Sequence, residues 1–407
     1  MRSSNLLTSF AKAQLPRFIF GLRWLTISAL VGSIAGTASA WFLISLNAVT
    51  GFREAHAAII WLLPVAGLVV GALYHFWAGP AEQGNNLLID AIHDPVQRVP
   101  LRMAPLVYVG TMITHLFGGS AGREGTALQM SASLAHPLVR LFKMNAHDKR
   151  LLLIAAISAG FGSVFGTPLA GAIFALEVFL VGSVRYDAIF PAFAAGILAN
   201  YVGHLWHAPH TVYRVGAIPP LDANAFVWAM AAGLIFGIVA WLFSHGMHRL
   251  QRTFKVMVPH AVMRPVVGGL IVAVAVYFVG TRYIGLGVPV IEQAFAMQAA
   301  PHEFVLKIAF TILTLAAGFK GGEVTPLFFI GAVLGSALSI FMPLPVGLLA
   351  AMGFVAVFAG ATNTPLACTV MAMELFGADA GVYAAIACVI AFLSSGKATI
   401  YTKQQRA

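Results

Sequence analysis

The sequence Gly122-Arg123-Glu124-Gly125-Thr126 places an acidic side chain between two glycines inside a long apolar stretch. A carboxylate in chain that is buried in lipid is costly, so such a residue points to a functional site. Glycine interrupts a helix and lets a ligand approach the backbone closely. These five residues therefore predict a broken helix with a functional carboxylate at the break.

The composition of the whole chain indicates that this break lies in a membrane. Of 407 residues, 59% are hydrophobic and 9% are charged, whereas a soluble domain carries about 25% charged residues. The apolar runs are continuous, which favours helices over the alternating strands of a membrane barrel. Several runs are shorter than the roughly 20 residues of a full span. The expected fold is an all-α polytopic membrane protein with some broken or re-entrant helices.

The positive charge of the chain is better explained by a membrane than by nucleic acid. The formal net charge is +10, and the basic residues lie at span ends and termini. Residues 1–24 contain four basic residues and no acid, and residues 397–407 contain three and no acid. Because cytoplasmic loops are enriched in Lys and Arg, we expect both termini to be cytoplasmic. The expected setting is the lipid bilayer of a bacterial inner membrane, with no nucleic acid as a partner.

Three segments of the first half of the chain recur in the same order in the second half. The pairs are residues 122–126 with 321–326, 167–177 with 364–374, and 84–87 with 285–288. Their offsets are 199, 197 and 201 residues. Repeated halves with interrupted helices are typical of transporters that bind their ion near the bilayer midplane. The sequence therefore predicts two structurally repeated halves in inverted topology.

The repeat and the charge pattern together predict the boundaries of the domains. They are a cytoplasmic N-terminal segment at 1–24, a first membrane half at 25–205, a linker at 206–224, a second membrane half at 225–401 and a tail at 402–407.

Four glycine-containing segments have the composition of helix starts. They are residues 84–86, 122–125, 285–287 and 321–325. A helix start leaves backbone N–H groups free and carries partial positive charge, so it can hold an anion without a full cation. If all four point inward, they form a dry anion-binding centre. Taken singly, each is also consistent with an ordinary helix cap.

The residues alone leave the role of Glu124 open. It could be a fixed ligand of a cation, a helix cap paired with Arg123, or a movable carboxylate that competes with an anion. In the last case, protonation would release the carboxylate and couple anion movement to proton movement. Glu323 has the same alternatives, with Lys320 nearby.

The glycine-framed Glu124 resembles the gating-glutamate signature of the CLC family of anion channels and proton-coupled antiporters. Residues 321–326 lie where that family has its second-half anion-binding helix start, and residues 167–177 resemble a CLC helix. Tyr401 matches the inner-gate tyrosine of the family, although a Tyr near a span end also suits the membrane interface. The resemblance implies a CLC-like fold, transport without an enzymatic reaction, and a homodimer.

Three departures from the common CLC pattern resemble the fluoride-exporting branch, whose members exchange fluoride for protons. Asn85 and Asn86 stand at the place of the anion-coordinating Ser. Thr325 replaces a bulky aromatic residue. Val178 stands where the family has its internal proton-transfer Glu. The resemblance implies fluoride and protons as the transported ions.

The same branch assigns roles to the two carboxylates of the repeated motif. Glu124 would be the movable gating and proton-coupling group, and Glu323 would take part in proton movement. Fluoride is small and strongly hydrated, so its binding requires short hydrogen bonds from well-placed donors. The predicted anion-binding residues are Asn85, Asn86, Gly122, Gly125, Val324, Thr325 and Tyr401, with Asn85 favoured over Asn86.

Other polar residues in the apolar runs are interpreted as structural. Glu177 and Glu374 are expected to bond neighbouring backbone, and His115 to be packed and hydrogen-bonded. Cys368 and Cys388 read as small core residues. No catalytic residue, cofactor or metal is expected.

Two other functions remain as alternatives. One is a chloride-preferring CLC channel or chloride/proton antiporter. The other is an intramembrane hydrolase that uses Glu124 or Glu323 as an acid or base. The chain has no His-Glu-x-x-His or Gly-x-Ser-x-Gly motif, which argues against the hydrolase.

Overall fold

The computed structural model describes residues 2–94 and 96–407, which are mostly helical. The α-helices are α1 (Arg2–Ala55), α2 (Leu63–Trp77), α3 (Asn85–His93), α4 (Met103–Leu116), α5 (Glu124–Ala135), α6 (Leu138–Leu141), α7 (Ala146–Phe165), α8 (Pro168–Glu177), α9 (Ile189–Leu205), α10 (Ala223–Met257), α11 (Met263–Val279), α12 (Val288–Ala296), α13 (Glu303–Ala316), α14 (Val324–Leu338), α15 (Val346–Thr362), α16 (Pro365–Phe376) and α17 (Ala378–Ser395). Short 3₁₀ helices occupy Ala57–Leu62, Gly79–Gln83 and Tyr186–Ala188. Two short strands, β1 (Leu180–Val181) and β2 (Gln405–Arg406), pair in parallel.

The helices fall into two length classes, which confirms the prediction of an all-α membrane fold with broken helices. Within the described ranges, five helical stretches are long and apolar enough to cross a membrane. They are Phe18–Ala55, Ala57–Trp77, Tyr186–Leu205, Ala223–Met257 and Ala378–Ser395. Many other helices are shorter, such as the nine residues of α3 and the ten of α8. A short helix cannot cross alone, so its end lies at depth, where protein must satisfy its backbone.

The two glycine–glutamate loops pair with each other across the centre of the molecule. The Gly122 N–H donates to the Gly322 carbonyl at 2.6 Å, and the Gly322 N–H donates to the Gly122 carbonyl at 2.8 Å. This reciprocal bridge is antiparallel. Equivalent residues that contact each other reciprocally are the mark of a two-fold relation, so the repeated halves meet at a local two-fold axis.

Residues flanking the loops repeat this reciprocity. The Ser120 N–H donates to Thr314 Oγ1 at 3.1 Å, and the Lys320 N–H donates to Thr114 Oγ1 at 3.2 Å. Each threonine lies near the end of the helix that precedes a loop, α4 or α13. Each half therefore positions the glutamate loop of the other half.

Glu177 and Glu374 cap each other's helices. Glu177, at the end of α8, accepts hydrogen bonds from the N–H groups of Leu366 (3.2 Å) and Ala367 (2.9 Å) in the first turn of α16. Glu374, near the end of α16, accepts from the first turn of α8 at 3.0 and 2.8 Å. The predicted hydrogen bonds from backbone N–H groups to Glu177 and Glu374 are present, and in each case the N–H groups belong to the opposite half. These carboxylates therefore fasten the halves together.

The interface between the halves is also aromatic. Phe161 and Phe165 of α7 lie against Phe358 and Phe328 of the second half, with ring centroids 6.2 and 5.2 Å apart. Phe328 in turn stacks on Phe354 at 3.9 Å. Such contacts add to the packing attraction that holds helices together where lipid offers no hydrophobic drive.

The remaining structural assignments are confirmed. His115 is fully buried, and its ring nitrogens lie 2.9 and 3.0 Å from the carbonyl oxygens of Thr111 and Ala121. Cys368 and Cys388 are free and buried. Both cysteines therefore act as small core residues.

The chain termini and the far end of α1 mark opposite faces of the molecule. Arg23 pairs with Asp148 at 2.7 Å, and Lys403 of the C-terminal segment pairs with Asp90 at 3.5 Å. Arg53 lies thirty residues beyond Arg23 in the same helix, or about 45 Å at 1.5 Å per residue. The terminal face is the side with Arg23 and Lys403, and the opposite face is the side with Arg53.

The helix bounds differ in one respect from the predicted domain boundaries. α1 runs without interruption through residue 24, where the N-terminal segment was expected to end. α9 ends at Leu205 and α10 begins at Ala223. The division into an N-terminal segment, two halves, a linker and a tail stays a prediction.

Candidate functional site

Glu124 opens α5 and projects its carboxylate onto the start of a helix from the other half. The Thr325 N–H donates to Glu124 Oε2 at 3.0 Å, and the Thr325 hydroxyl makes a short hydrogen bond to Oε1. Thr325 lies in the first turn of α14, where backbone N–H groups lack partners inside the helix. Glu124 is fully buried. The carboxylate thus occupies the place at which the start of α14 would hold an anion.

Arg123 completes the surroundings of the carboxylate. Its backbone N–H donates to Glu124 Oε2 at 3.1 Å, and its Nε lies 3.5 Å from Oε1. Each hydrogen bond to a charged group contributes about 1.5–3 kcal/mol. The sequence suggested either a cap paired with Arg123 or a carboxylate in an anion site. In the structure, Glu124 is both: it lies beside Arg123, and it caps the start of α14, where an anion could bind.

At two positions of the motif, Gly122 and Gly125, neighbouring atoms leave little room for a side chain. A Cβ on Gly122 would lie 2.8 Å from Glu124 Oε2 and 2.9 Å from the Gly322 carbonyl oxygen. A Cβ on Gly125 would lie 2.8 Å from Asn85 Nδ2 and 3.3 Å from the Gly322 Cα. A side chain at Gly122 would therefore press on the second half, and one at Gly125 would displace the Asn85 amide.

The neighbouring asparagines have different surroundings. Asn85 Oδ1 accepts a hydrogen bond from Gln129 Nε2 at 3.2 Å, which turns Asn85 Nδ2 towards Gly125. Asn86 Oδ1 accepts from the Lys403 N–H at 3.1 Å and so binds the C-terminal segment. Of the two asparagines, Asn85 is the one whose amide lies beside the start of α5, and its role as an anion ligand stays a prediction.

Glu323 and Tyr401 lie at the same centre. Glu323 is the N-cap residue of α14, is half-buried, and makes no side-chain capping hydrogen bond. Val324, which opens α14, is buried. Tyr401 is buried in the core, close enough to Glu323 and Glu124 for their charges to act on its hydroxyl. The structure therefore brings together the starts of α3, α5 and α14 with Tyr401.

The fourth predicted helix start, residues 285–287, lies beside Arg53 and Phe329. Gly285 contacts the guanidinium of Arg53, and a Cβ on Gly287 would lie 2.6 Å from the Phe329 ring. The Gly285 N–H donates to the Gly119 carbonyl oxygen at 3.1 Å, so this loop is joined to the chain that leads into the Glu124 loop. The convergence of all four helix starts on one anion stays a prediction.

Sequence reasoning overlooked three residues that shape these sites. Gln129 orients Asn85. Arg53 and Lys307 form the surroundings of the 285–287 loop. Lys307 could have been found, because a lysine in an apolar run is as unusual as the carboxylates. Within the described ranges, no group of three or more His, Cys, Asp or Glu is placed to hold a metal ion.

Inverted halves, helices that end at depth, and a buried carboxylate on a helix start define a membrane protein that transports ions. Comparison with known proteins specifies the family. The family model described as "Voltage gated chloride channel" matches residues 66–396. The chain belongs to this family, the CLC family, and is an integral membrane transport protein, not an enzyme.

Individual relatives extend the comparison. A "Chloride/fluoride channel protein" of Pseudomonas syringae pv. tomato is 51% identical over 94% of this chain and 86% of that protein. The crystal structure of a CLC-type fluoride/proton antiporter is 33% identical, with a TM-score of 0.92 over 95% of this chain and 98% of that chain. A slow cyanobacterial Cl⁻/H⁺ antiporter, 18% identical with a TM-score of 0.80 over 93% and 96% of the two chains, shares the fold.

Proposed function

We propose that the protein exports fluoride from the cytoplasm in exchange for protons. The observation that carries this proposal is the position of the Glu124 carboxylate on the backbone and hydroxyl of Thr325. A carboxylate that only capped a helix would say nothing about the transported ion. A carboxylate that holds the donors of an anion site can instead exchange with an anion. The fluoride-transporting relatives, 51% and 33% identical, support fluoride as that anion.

Coupling follows from competition for the start of α14. When Glu124 is ionised, its carboxylate takes the Thr325 donors and excludes an anion. Protonation removes the charge that the helix start attracts. The neutral side chain then leaves, and fluoride takes the same two donors. A proton therefore binds Glu124 each time the anion is admitted, which is the requirement for exchange.

Glu323 would pass protons between Glu124 and the terminal face. It lies at the same helix start, directly before Val324, and makes no side-chain capping hydrogen bond. Val178, where other CLC members carry a glutamate, donates no proton. Glu323 is thus the carboxyl group in position to replace it.

Fluoride selectivity would come from the number of short donors at the centre. The donors are the Asn85 amide, the Thr325 hydroxyl and N–H, the Tyr401 hydroxyl, and backbone at Gly122, Gly125 and Val324. Charge-assisted bonds to such donors can offset the loss of hydration, which is larger for fluoride than for chloride. Asn86 would hold the C-terminal segment in place through Lys403.

The setting and the assembly are part of the proposal. The terminal face carries basic residues and would lie in the cytoplasm of a bacterium, so that the protein spans the inner membrane with both termini inside. The CLC resemblance supports a homodimer with one pathway in each subunit. The boundaries of the two membrane halves, 25–205 and 225–401, are proposed on the repeat.

Chloride transport is the second candidate. The Pseudomonas relative's printed name includes chloride beside fluoride. An efflux comparison of the two anions separates the candidates. Chloride leaving faster than fluoride would favour this second function.

Vesicles that contain the purified protein and fluoride would test exchange with a fluoride-selective electrode. An imposed proton gradient should drive fluoride uphill, and a proton leak should abolish this uphill movement. Protein-free vesicles give the baseline. Fluoride flow that follows only its own gradient, whatever the proton gradient, would contradict the proposal.

A further inference from the structure

The C-terminal segment, residues 396–407, is fastened to both halves of the molecule. On the first half, the Gln405 N–H donates to the Phe179 carbonyl oxygen at 3.2 Å, where β2 pairs with β1. On the second half, the Ile400 N–H donates to the Ala361 carbonyl oxygen at 2.9 Å, near the end of α15. The segment therefore bridges the junction of the halves on the terminal face.

One side chain of this segment, Gln404, bonds to both halves at once. Its Nε2 donates to the carbonyl oxygens of Val178 in the first half and Thr362 in the second, each at 2.8 Å. Its Oε1 accepts from Asn363 Nδ2 at 2.9 Å. A glutamine amide has two N–H donors, so both are used, one on each half of the molecule.

Asn363 gives Gln404 a fixed partner in the second half. It follows the last residue of α15 with a φ of 57° and a ψ of 41°, a left-handed conformation that asparagine adopts more readily than most residues. Its Nδ2 also donates to the Ala398 carbonyl oxygen at 3.2 Å, and the residue is buried. The amide of Asn363 therefore binds the C-terminal segment at two points.

Tyr401 lies between these anchors. The Gln404 N–H donates to the Tyr401 carbonyl oxygen at 3.2 Å, and the Tyr401 N–H donates to Thr399 Oγ1 at 3.1 Å. Thr399 is held in turn through its carbonyl oxygen, which lies 2.8 Å from His248 Nε2. Because the turn joins Gln404 directly to Tyr401, a shift of Gln404 would move the backbone that carries the Tyr401 ring.

The other side chains at the end of the chain offer weaker anchors. Among residues 402–407, Gln404 is half-buried and the rest are exposed. The ion pair of Lys403 with Asp90 spans 3.5 Å, and its side chains are 48% and 31% exposed. Exposed ion pairs of this kind contribute little to stability, and chain ends fray unless they are tied down. Gln404 is therefore the main side-chain anchor of the segment.

We propose that Gln404 is a positioning residue, which holds the C-terminal segment across the two halves and so keeps the Tyr401 hydroxyl at the Glu124 centre. Without the bonds of Gln404, the segment would fray from the chain end towards Tyr401. The centre would then lose a donor for the anion, a consequence that rests on the proposed function. Gln404 acts on the anion through Tyr401.

Hydrogen exchange of the purified full chain, measured by mass spectrometry on peptides that cover residues 398–407, would test the positioning. In Gln404→Ala these amides should exchange at least about tenfold faster than in the wild type, because three side-chain hydrogen bonds are lost. Gln405→Ala is the matched control, since Gln405 is exposed and binds β1 through a backbone N–H that alanine keeps. Its exchange should stay within about twofold of the wild type.

Calorimetric titration with sodium fluoride, and separately with sodium chloride, would test the effect on the centre. Gln404→Ala should weaken fluoride binding about threefold or more, because the Tyr401 donor is displaced. The number of anions bound by each chain should not change. A variant that is merely less well folded would show the reverse, with fewer anions bound at the affinity of the wild type.

Gln404→Met covers the case in which Gln404→Ala does not fold. It keeps the length of the side chain and removes its three hydrogen bonds, so both changes should recur. Exchange as slow in the folded Gln404 variants as in Gln405→Ala would overturn the proposal, and so would faster exchange with unchanged anion affinity.

Failure of the proposed function gives a different result. Wild-type vesicles that do not exchange fluoride for protons would overturn that function alone, and hydrogen exchange and titration would still decide the role of Gln404. A wild type that binds neither anion would also count against the proposed function, and the exchange rates at residues 398–407 would then decide the positioning.

Discussion

The two glycine–glutamate loops share a backbone arrangement but differ in the state of their carboxylates. Glu124 is fully buried and accepts bonds from Thr325 and from its own loop. Glu323 is half-buried and makes no side-chain capping hydrogen bond to α14. Duplication therefore preserved the Gly122–Gly322 bridge without preserving equal roles for the two acids.

The equivalent threonines show how the difference arises. Thr325 donates its hydroxyl to Glu124. Thr126 lies 2.7 Å, oxygen to oxygen, from the Thr111 hydroxyl instead. Two ionised carboxylates repel each other in a dry site, so only one of them can hold the Thr325 donors in its charged form. A repeated motif can therefore supply one carboxylate, Glu124, that fills the anion site and a second, Glu323, that remains free of those donors for another role.

The largest effect is expected from neutralising each carboxylate separately. Glu124→Gln should abolish proton-driven uphill fluoride movement, because an amide cannot alternate between charged and neutral forms. Glu323→Gln should slow proton movement about tenfold or more while the anion site keeps its donors. Proton and fluoride fluxes measured together in vesicles would show this. Equal coupling in the wild type and Glu124→Gln would refute the assigned roles.

A smaller effect is expected from the equivalent threonines. Thr325→Val removes a hydroxyl that bonds a charged group, a loss of about 1.5–3 kcal/mol, and should weaken fluoride binding about tenfold or more. Thr126→Val is the control, since it breaks only the bond to Thr111 and should leave fluoride affinity near the wild-type value. Fluoride titration of both folded variants makes the comparison. Similar losses in the two variants would mean that the halves contribute alike.

The smallest effect is expected from the reciprocal caps. Glu177→Gln and Glu374→Gln should each lower the free energy of unfolding by about 1 kcal/mol, as for other lost caps. The loss should be larger at Glu177, which is buried, than at the half-buried Glu374. Thermal unfolding of the full chain in detergent measures both. A larger loss for Glu374→Gln would contradict the ranking by burial.

Much of the fold and part of the site could be predicted from the sequence. A charge in an apolar run and a glycine at a helix break are local signals, because their cost is set by lipid and by the backbone at that residue. These signals, repeated at nearly one spacing, pointed to Glu124, Glu323 and the two halves. The preference for Asn85 over Asn86 as an anion ligand stays a prediction, although only the Asn85 amide lies beside Gly125.

Other features were decided by the tertiary structure alone. They include the bonds from Thr325 to Glu124, the reciprocal caps of Glu177 and Glu374, and the contact between Gly285 and the Arg53 guanidinium. Each joins residues far apart in the chain, and packing of the two halves determines which groups meet. The sequence by itself determined where helices break and which residues carry charge there. Only the folded chain decided which broken helix each charge caps.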